Sequence, residues 1–204
     1  MAITGLFLIS FLFIHLVINL FTLAPTKDLF NDAAHFMATN PVIFAMQYIL
    51  ALGFIIHIIM GIKLTIQNKM ARSQNYAYNN MSSNTDFSSR SMIISGGLII
   101  VFLILHLRDY FYQMKFVGLP EGTTDYDLVV TLFSNPFYTA VYVFSFIVLG
   151  FHLNHGFKSA FQSVGANHNK YNPVIKAIST GYSIMIALGF STIAIFHFIN
   201  QYNF

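Results

Sequence analysis

The chain has 204 residues, 56 % of them hydrophobic and only 8 % charged, where an ordinary globular domain carries roughly 25 % charge. Ten basic and seven acidic residues cannot coat a water-soluble fold of this size, so the composition describes a polytopic membrane protein. The absence of cysteine excludes disulfides, thiolate nucleophiles, Fe–S ligation and Cys-based zinc sites, and a net charge of +3 with no basic stripe gives no sign of nucleic-acid binding.

A hydrocarbon core ~30 Å thick needs ~20 mostly apolar residues per helix. Five stretches meet that requirement, at about 2–24, 42–66, 92–114, 137–161 and 174–199. The first has no basic n-region and no small-residue cleavage site, and it carries His15 and Asn19, so it reads as a retained span rather than a signal peptide. It starts almost at Met1, and a few cytoplasmic residues are expected to be missing ahead of it. The intervening segments hold the breakers Pro25, Pro41 and Pro120, an Asn/Ser-rich run at 75–91, and the stretch 167–173. The fold class is therefore an all-α bundle of five transmembrane helices, one membrane domain over 1–204, with no internal repeat evident.

Lysine and arginine set orientation. The segments after spans two and four, with the span ends feeding them, carry Lys63, Lys69, Arg72, Arg90, Lys158, Lys170 and Lys176 against the single acid Asp86. The other side carries Lys27, Arg108 and Lys115 against Asp28, Asp32, Asp109, Glu121, Asp125 and Asp127. The basic side is expected to be cytoplasmic, which places the N-terminus inside and the C-terminus outside.

Ionisable groups inside a membrane are costly and usually functional. Four of the eight histidines lie deep in four different spans: His15, His57, His106 and His152. A single intramembrane histidine is as readily explained by a hydrogen bond to a neighbouring helix, but one in each of four helices is not. His57 and His152 lie about ten residues from the basic ends of their spans, and His15 and His106 lie eight or nine from the opposite ends. The set therefore divides into two pairs at two levels, at least ~9 Å apart at ~1.5 Å rise per residue. Two facing imidazoles can supply both axial ligands of a haem, so two pairs would hold two haems in a stack.

Helical spacing surrounds these histidines with small residues. Gly53 and Gly61 share the face of His57; Ser145, Gly156, Ser159 and Ser163 share that of His152; Thr4, Asn19 and Thr22 share that of His15. They leave room for a flat macrocycle, although small residues also simply let helices pack. His155, one turn from His152, is a candidate contact for a haem propionate or a quinone, or an interfacial residue. Arg108 and Lys158 are candidate propionate partners near span ends, with snorkelling toward the interface as the alternative. His35, His168 and His197 read as loop or interfacial residues. No catalytic set is visible in the chain itself.

Other chemistries fit less well. The two depths argue against four histidines on one ion, and no buried acid is expected to complete a zinc site. A proton-coupled transporter would want embedded acids and broken or repeated helices, whereas the only acid within a span is Asp109, near an end. A cytochrome with both ligand pairs on two helices would need two histidines about fourteen residues apart within each.

Four runs resemble the five-helix diheme cytochrome b subunit of succinate:menaquinone oxidoreductases and the related fumarate reductases. They are TGLFLISFLFIH at 4–15, FIIHIIMGIK at 54–63, FLILHL at 102–107, and H-x3-G within FHLNHGFKSAFQSVG at 151–165. The resemblance spans all the deep histidines and implies His15, His57, His106 and His152 as axial ligands of two b haems, the H-x3-G pattern selecting His152 over His155. It further implies a flavoprotein and an iron–sulfur subunit as partners at the cytoplasmic face of a bacterial inner membrane, and menaquinone as electron acceptor. Some family members place a carboxylate two residues before the fourth ligand for proton movement; here that residue is Gly150, so that path is not expected. Asp28 and Asp32 are the nearest candidates for an acid at the quinone site, which is otherwise unassigned.

Overall fold

In hydrocarbon a backbone must satisfy its own N–H and C=O groups, and a helix does so within one segment. The computed structural model describes residues 1–70 and 92–201. Among them there is no strand, and five helices are long and apolar enough to cross a membrane: Ala2–Leu23, Pro41–Met70, Met92–Val117, Pro136–Ser163 and Asn172–Asn200. The expected spans recur with ends displaced by a few residues. The Asn/Ser-rich run, Arg72, Arg90 and Asp86 fall outside the described residues.

In chain order the elements are α1 (Ala2–Leu20) with a 3-10 turn at Phe21–Leu23, α2 (Asp28–Thr39), α3 (Pro41–Met70), α4 (Met92–His106) running into a π-helix at Leu107–Val117, α5 (Asp125–Phe133), α6 (Pro136–Ser163) and α7 (Asn172–Asn200). The short helices α2 and α5 were not expected from the breaker-rich segments that contain them. The signal for α5 was present in T-x-x-D. Thr124 caps the helix, accepting from the Asp127 N–H, while Asp127 accepts from the Thr124 N–H at 2.9 Å. The Thr124 hydroxyl and amide, with Lys27 beside them, hold the Asp127 carboxyl below the usual carboxylate range, and burial pushes that of Asp125 up.

These two helices close the end of the bundle where α1 and α7 finish. The Tyr126 N–H donates to Asn31 Oδ1 at 3.1 Å, Phe30 meets the Tyr126 ring edge-on, and Lys27 Nζ lies 3.6 Å from Asp127 Oδ2. The Met1 end is the opposite one. On the third span the π turn closes with the Gly118 N–H donating to the Gln113 carbonyl, five residues back, at 2.9 Å. Gly118 leaves it at φ +81°, a backbone that residues with a Cβ rarely adopt.

The most extensive packing is between α6 and α7, with α1 laid against both. The core consists of Leu16, Tyr142, Phe146, Leu153, Ile186, Phe190, Ile193 and Ala194, with Phe146 stacked on Phe190 at 5.2 Å. Glycines set the close approaches. A Cβ on Gly150 would stand 3.0 Å from Ala187 Cβ and 3.4 Å from the Ser183 carbonyl oxygen, and one on Gly189 would meet Leu16 Cδ1 at 2.8 Å. The position two residues before His152 is thus filled by helix contact, and a longer side chain has no room there. By contrast α3 buries only Gly53 and exposes apolar residues along much of its length, from Val42 to Met70.

Candidate metal centre

Four spans each bring one deep histidine toward the interior. His15 of α1 and His106, the last residue of α4, face each other with ring centroids 5.9 Å apart and planes at 89°. A metal bound by one nitrogen of each ring at ~2 Å would leave the ring centres about 6 Å apart, so His15 and His106 are spaced to hold one between them. His106 Nδ1 is buried without a hydrogen-bond partner, an uncommon state for a buried polar atom. The surroundings are aromatic: Phe11 stacks on His15 at 5.3 Å, Phe190 lies 5.7 Å from it, and Phe102, Tyr110 and Tyr142 surround His106 at 5.7, 5.2 and 6.2 Å.

His57 of α3 and His152 of α6 sit toward the Met1 end, beside the first turns of α1 and α4 respectively. Each has a hydroxyl against Nδ1. Thr4 Oγ1 is 3.3 Å from His57 Nδ1, and Ser95 Oγ is 3.2 Å from His152 Nδ1. Each also has a glycine against its ring: a Cβ on Gly5 would be 3.5 Å from His57 Cε1, and one on Gly96 3.6 Å from His152 Cε1. Eleven residues separate Thr4 from His15 and Ser95 from His106, so the two imidazole levels are about 16 Å apart along α1 and α4 at 1.5 Å per residue.

The structure assigns several small residues differently from helical spacing alone. Thr4 shares the face of His15 but serves His57, because three turns carry it to the other level. A Cβ on Gly53 would stand 3.0 Å from the Phe7 ring and one on Gly61 3.6 Å from Met1, so both serve contact with α1 or the residue that caps it. Asn19 and Thr22 bond to backbone carbonyls, of His15 and Asn19, and Ser145 to that of Val141. The residues that touch the second imidazole pair from α4, Ser95 and Gly96, were not singled out. Their signal was available as a short internal repeat: TGLFLISFLFIH at 4–15 aligns without a gap with SGGLIIVFLILH at 95–106.

Two further residues depart from expectation. Asp109 is buried (8 % exposed), its Oδ2 accepting from the Tyr142 hydroxyl at 2.9 Å. The π turn after His106 and the fully enclosed Tyr142 make an acid tolerable there. His197 is neither loop nor interfacial. It is 3 % exposed on α7, edge-on to Tyr126 at 5.8 Å, with Nε2 unpartnered, because α5 folds over a site that would otherwise face the interface. His155 is half-buried within electrostatic reach of His152, Lys158 is half-buried, and Arg108, Asp28, Asp32, His35 and His168 are exposed. Among the described residues no three or more His, Asp or Glu side chains converge as a metal cluster.

Fold and site together define a five-span helical membrane protein with one histidine deep in each of four spans, two of which, His15 and His106, stand 5.9 Å apart. Across 199 residues the chain is 26 % identical to the succinate dehydrogenase cytochrome b558 subunit of Bacillus subtilis (strain 168), covering 96 % of this chain and 90 % of that one. The resemblance carried by the four histidine-containing runs is thus matched by similarity over nearly the whole length. No protein-family model matches the chain, and no solved structure matches it.

Proposed function

We propose that the chain is the membrane-anchoring cytochrome b subunit of a succinate dehydrogenase that reduces menaquinone, or of a fumarate reductase using the same chain in reverse. The observation that carries this reading is the occurrence of two imidazole pairs on four helices at levels about 16 Å apart, one pair already at the ring spacing of two axial ligands. The residues fit b haems: His57 and His152 would hold one, and His15 and His106, whose rings stand 5.9 Å apart inside an aromatic shell, the other. When bound, the two haems supply one-electron carriers between an iron–sulfur subunit and the quinone; succinate chemistry belongs to a flavoprotein subunit.

The chain's own residues do the rest. The aromatic shell of Phe11, Phe102, Phe190, Tyr110 and Tyr142 excludes water from the His15/His106 level. The Met1 end is cytoplasmic in the bacterial inner membrane, where Lys69, Lys158 and Lys170 would meet the iron–sulfur subunit. The end closed by α2 and α5 faces outward and offers Asp28 and Asp32 toward the quinone. His155, Arg108 and Lys158 are the propionate candidates. The test is a reduced-minus-oxidised spectrum with haem stoichiometry on the isolated membrane complex. Two b haems per chain are expected, whereas a transporter would give none, and a His152→Ala variant that kept both haems would overturn the ligand assignment.

A further inference from the structure

Thr4 and Ser95 stand in equivalent places. Each follows the start of a span by a few residues and precedes a glycine, and each lies eleven residues before a histidine of the other level. The Thr4 hydroxyl donates to the Met1 carbonyl at 2.8 Å, and the Ser95 hydroxyl donates to the Met92 carbonyl at 3.1 Å. A hydroxyl has one proton. With that proton directed to a carbonyl three residues back, the oxygen can only accept from the imidazole beside it.

With the hydroxyl protons so directed, the ring nitrogens at 3.3 and 3.2 Å from those oxygens, His57 Nδ1 and His152 Nδ1, would be the ones that carry the imidazole proton. Nε2 of each ring is left with its lone pair. A nitrogen on the far side of the ring from the hydroxyl, unprotonated and held in one orientation, is what a metal requires of an imidazole. The backbone at the glycine after each hydroxyl lies beside the ring, where a Cβ at Gly5 or Gly96 would make ordinary van der Waals contact with Cε1. In the other pair, His106 Nδ1 makes no hydrogen bond.

Resting on the cytochrome reading above, we propose that Thr4 and Ser95 are positioning residues for the His57/His152 pair, fixing both imidazoles in the Nδ1–H tautomer and raising their donor strength toward the same haem. Each acts across a helix boundary, from the span that carries a ligand of the other haem. The hydroxyl–glycine pairs 4–5 and 95–96 are the two copies of one device, used once by α1 on α3 and once by α4 on α6.

The test uses the intact membrane complex carrying Thr4→Val or Ser95→Ala, with Thr4→Ser and Ser95→Thr as conservative variants. Haem content, the low-spin EPR signals and the midpoint potentials of the two haems are measured. Both Val and Ala variants are expected to shift the EPR signal and raise the midpoint of one and the same haem, because a weaker imidazole donor stabilises ferric iron less. The hydroxyl-bearing variants are expected to restore both. Loss of that haem in the Val or Ala variant, with retention in its hydroxyl-bearing counterpart, supports the proposal equally. Unchanged signals, a response from two different haems, or equal disturbance by the conservative variants overturns it while leaving the cytochrome reading intact. A wild-type complex without two b haems overturns the cytochrome reading and this inference with it.

Discussion

The Tyr142–Asp109 contact is where a small chemical change has the most calculable effect. Tyr142 is 1 % exposed and its hydroxyl donates to Asp109 Oδ2 at 2.9 Å. Tyr142→Phe removes one oxygen and keeps the ring that packs edge-on against Phe102 and Phe133. What is lost is the bond and the satisfaction of a buried acceptor, a cost of about 1–3 kcal/mol. Asp109→Ala leaves the Tyr142 hydroxyl without its partner and costs a similar amount by the same argument, plus whatever packing the carboxyl supplies. Once one partner is gone, removing the other has little left to break. The double variant should therefore fall about 1–2 kcal/mol short of the sum of the singles, within the usual range for residues in contact. The assay is a denaturant titration of the detergent-solubilised complex followed by haem absorbance, with all four forms compared under one condition. Additive single effects, or a Tyr142→Phe cost below ~0.5 kcal/mol, would show that this bond does not hold the π-helix against α6.

His155→Ala should retain two haems per chain, read from the pyridine haemochrome, because His155 lies beside His152 without replacing it. Gly150→Glu should fail to assemble or lose about 1–3 kcal/mol by overpacking, measured as yield and thermal half-life of the complex, since even a Cβ there stands 3.0 Å from Ala187 Cβ. A stable, active Gly150→Glu complex would contradict the close α6–α7 approach. The α5 cap should weaken in acid. The Asp127 carboxyl is held below its ordinary value by the Thr124 hydroxyl and amide, so its stabilisation is present above the unfolded carboxylate pKa of about 3.9. It is lost as pH falls through the lower folded value. Hydrogen exchange at residues 124–128, corrected for intrinsic rate, should rise below that pH in the wild type and show no such step in Asp127→Asn.

The five spans were legible because hydropathy is a one-dimensional signal that the bilayer enforces, and the positions of the four histidines within them follow directly. Depth was legible too, since a helix rise converts residue count into height. What spacing could not provide was the identity of the helix across the gap. Thr4 lies on the His15 face of α1, and only the placement of α3 beside its first turn turns it toward His57. Gly53 and Gly61 share the face of His57 yet meet α1 side chains. His197 looked interfacial because its neighbours in sequence lie at a span end, and its burial depends on α5, a helix folded from a segment read as a connection. Asp109 looked peripheral for the same kind of reason: its partner Tyr142 is 33 residues away. The repeat of 4–15 at 95–106 was present in the letters, but its meaning appears only when both copies are seen against a histidine.

The fifth span carries no member of either imidazole pair, and its packing explains why four helices do not suffice. A helix that lends one face to a metal group and another to lipid has little surface left for its neighbours. On the proposed reading that would be the position of α3 and α4, which bury only Gly53 and only Ser95. Such helices cannot define one another's rotation, and rotation determines whether an imidazole faces its mate. Helix α7 supplies the missing constraint. It buries Ser179, Ser183, Ile186, Phe190, Ser191, Ile193, Ala194 and His197, seats Leu16 of α1 against Gly189, and accepts the backbone of α6 at Gly150. The Tyr182 hydroxyl donates to the Ile9 carbonyl at 2.6 Å, fixing the register of α1 midway between Thr4 and His15. One non-ligand helix thereby fixes the two helices that bear His15 and His152, one from each pair. The remaining two are then set against that frame, α4 by the edge-on packing of Phe102 on Tyr142 and Phe146 of α6 and by Ser95 beside His152, and α3 by Phe7 of α1 against Gly53 and by Thr4 beside His57.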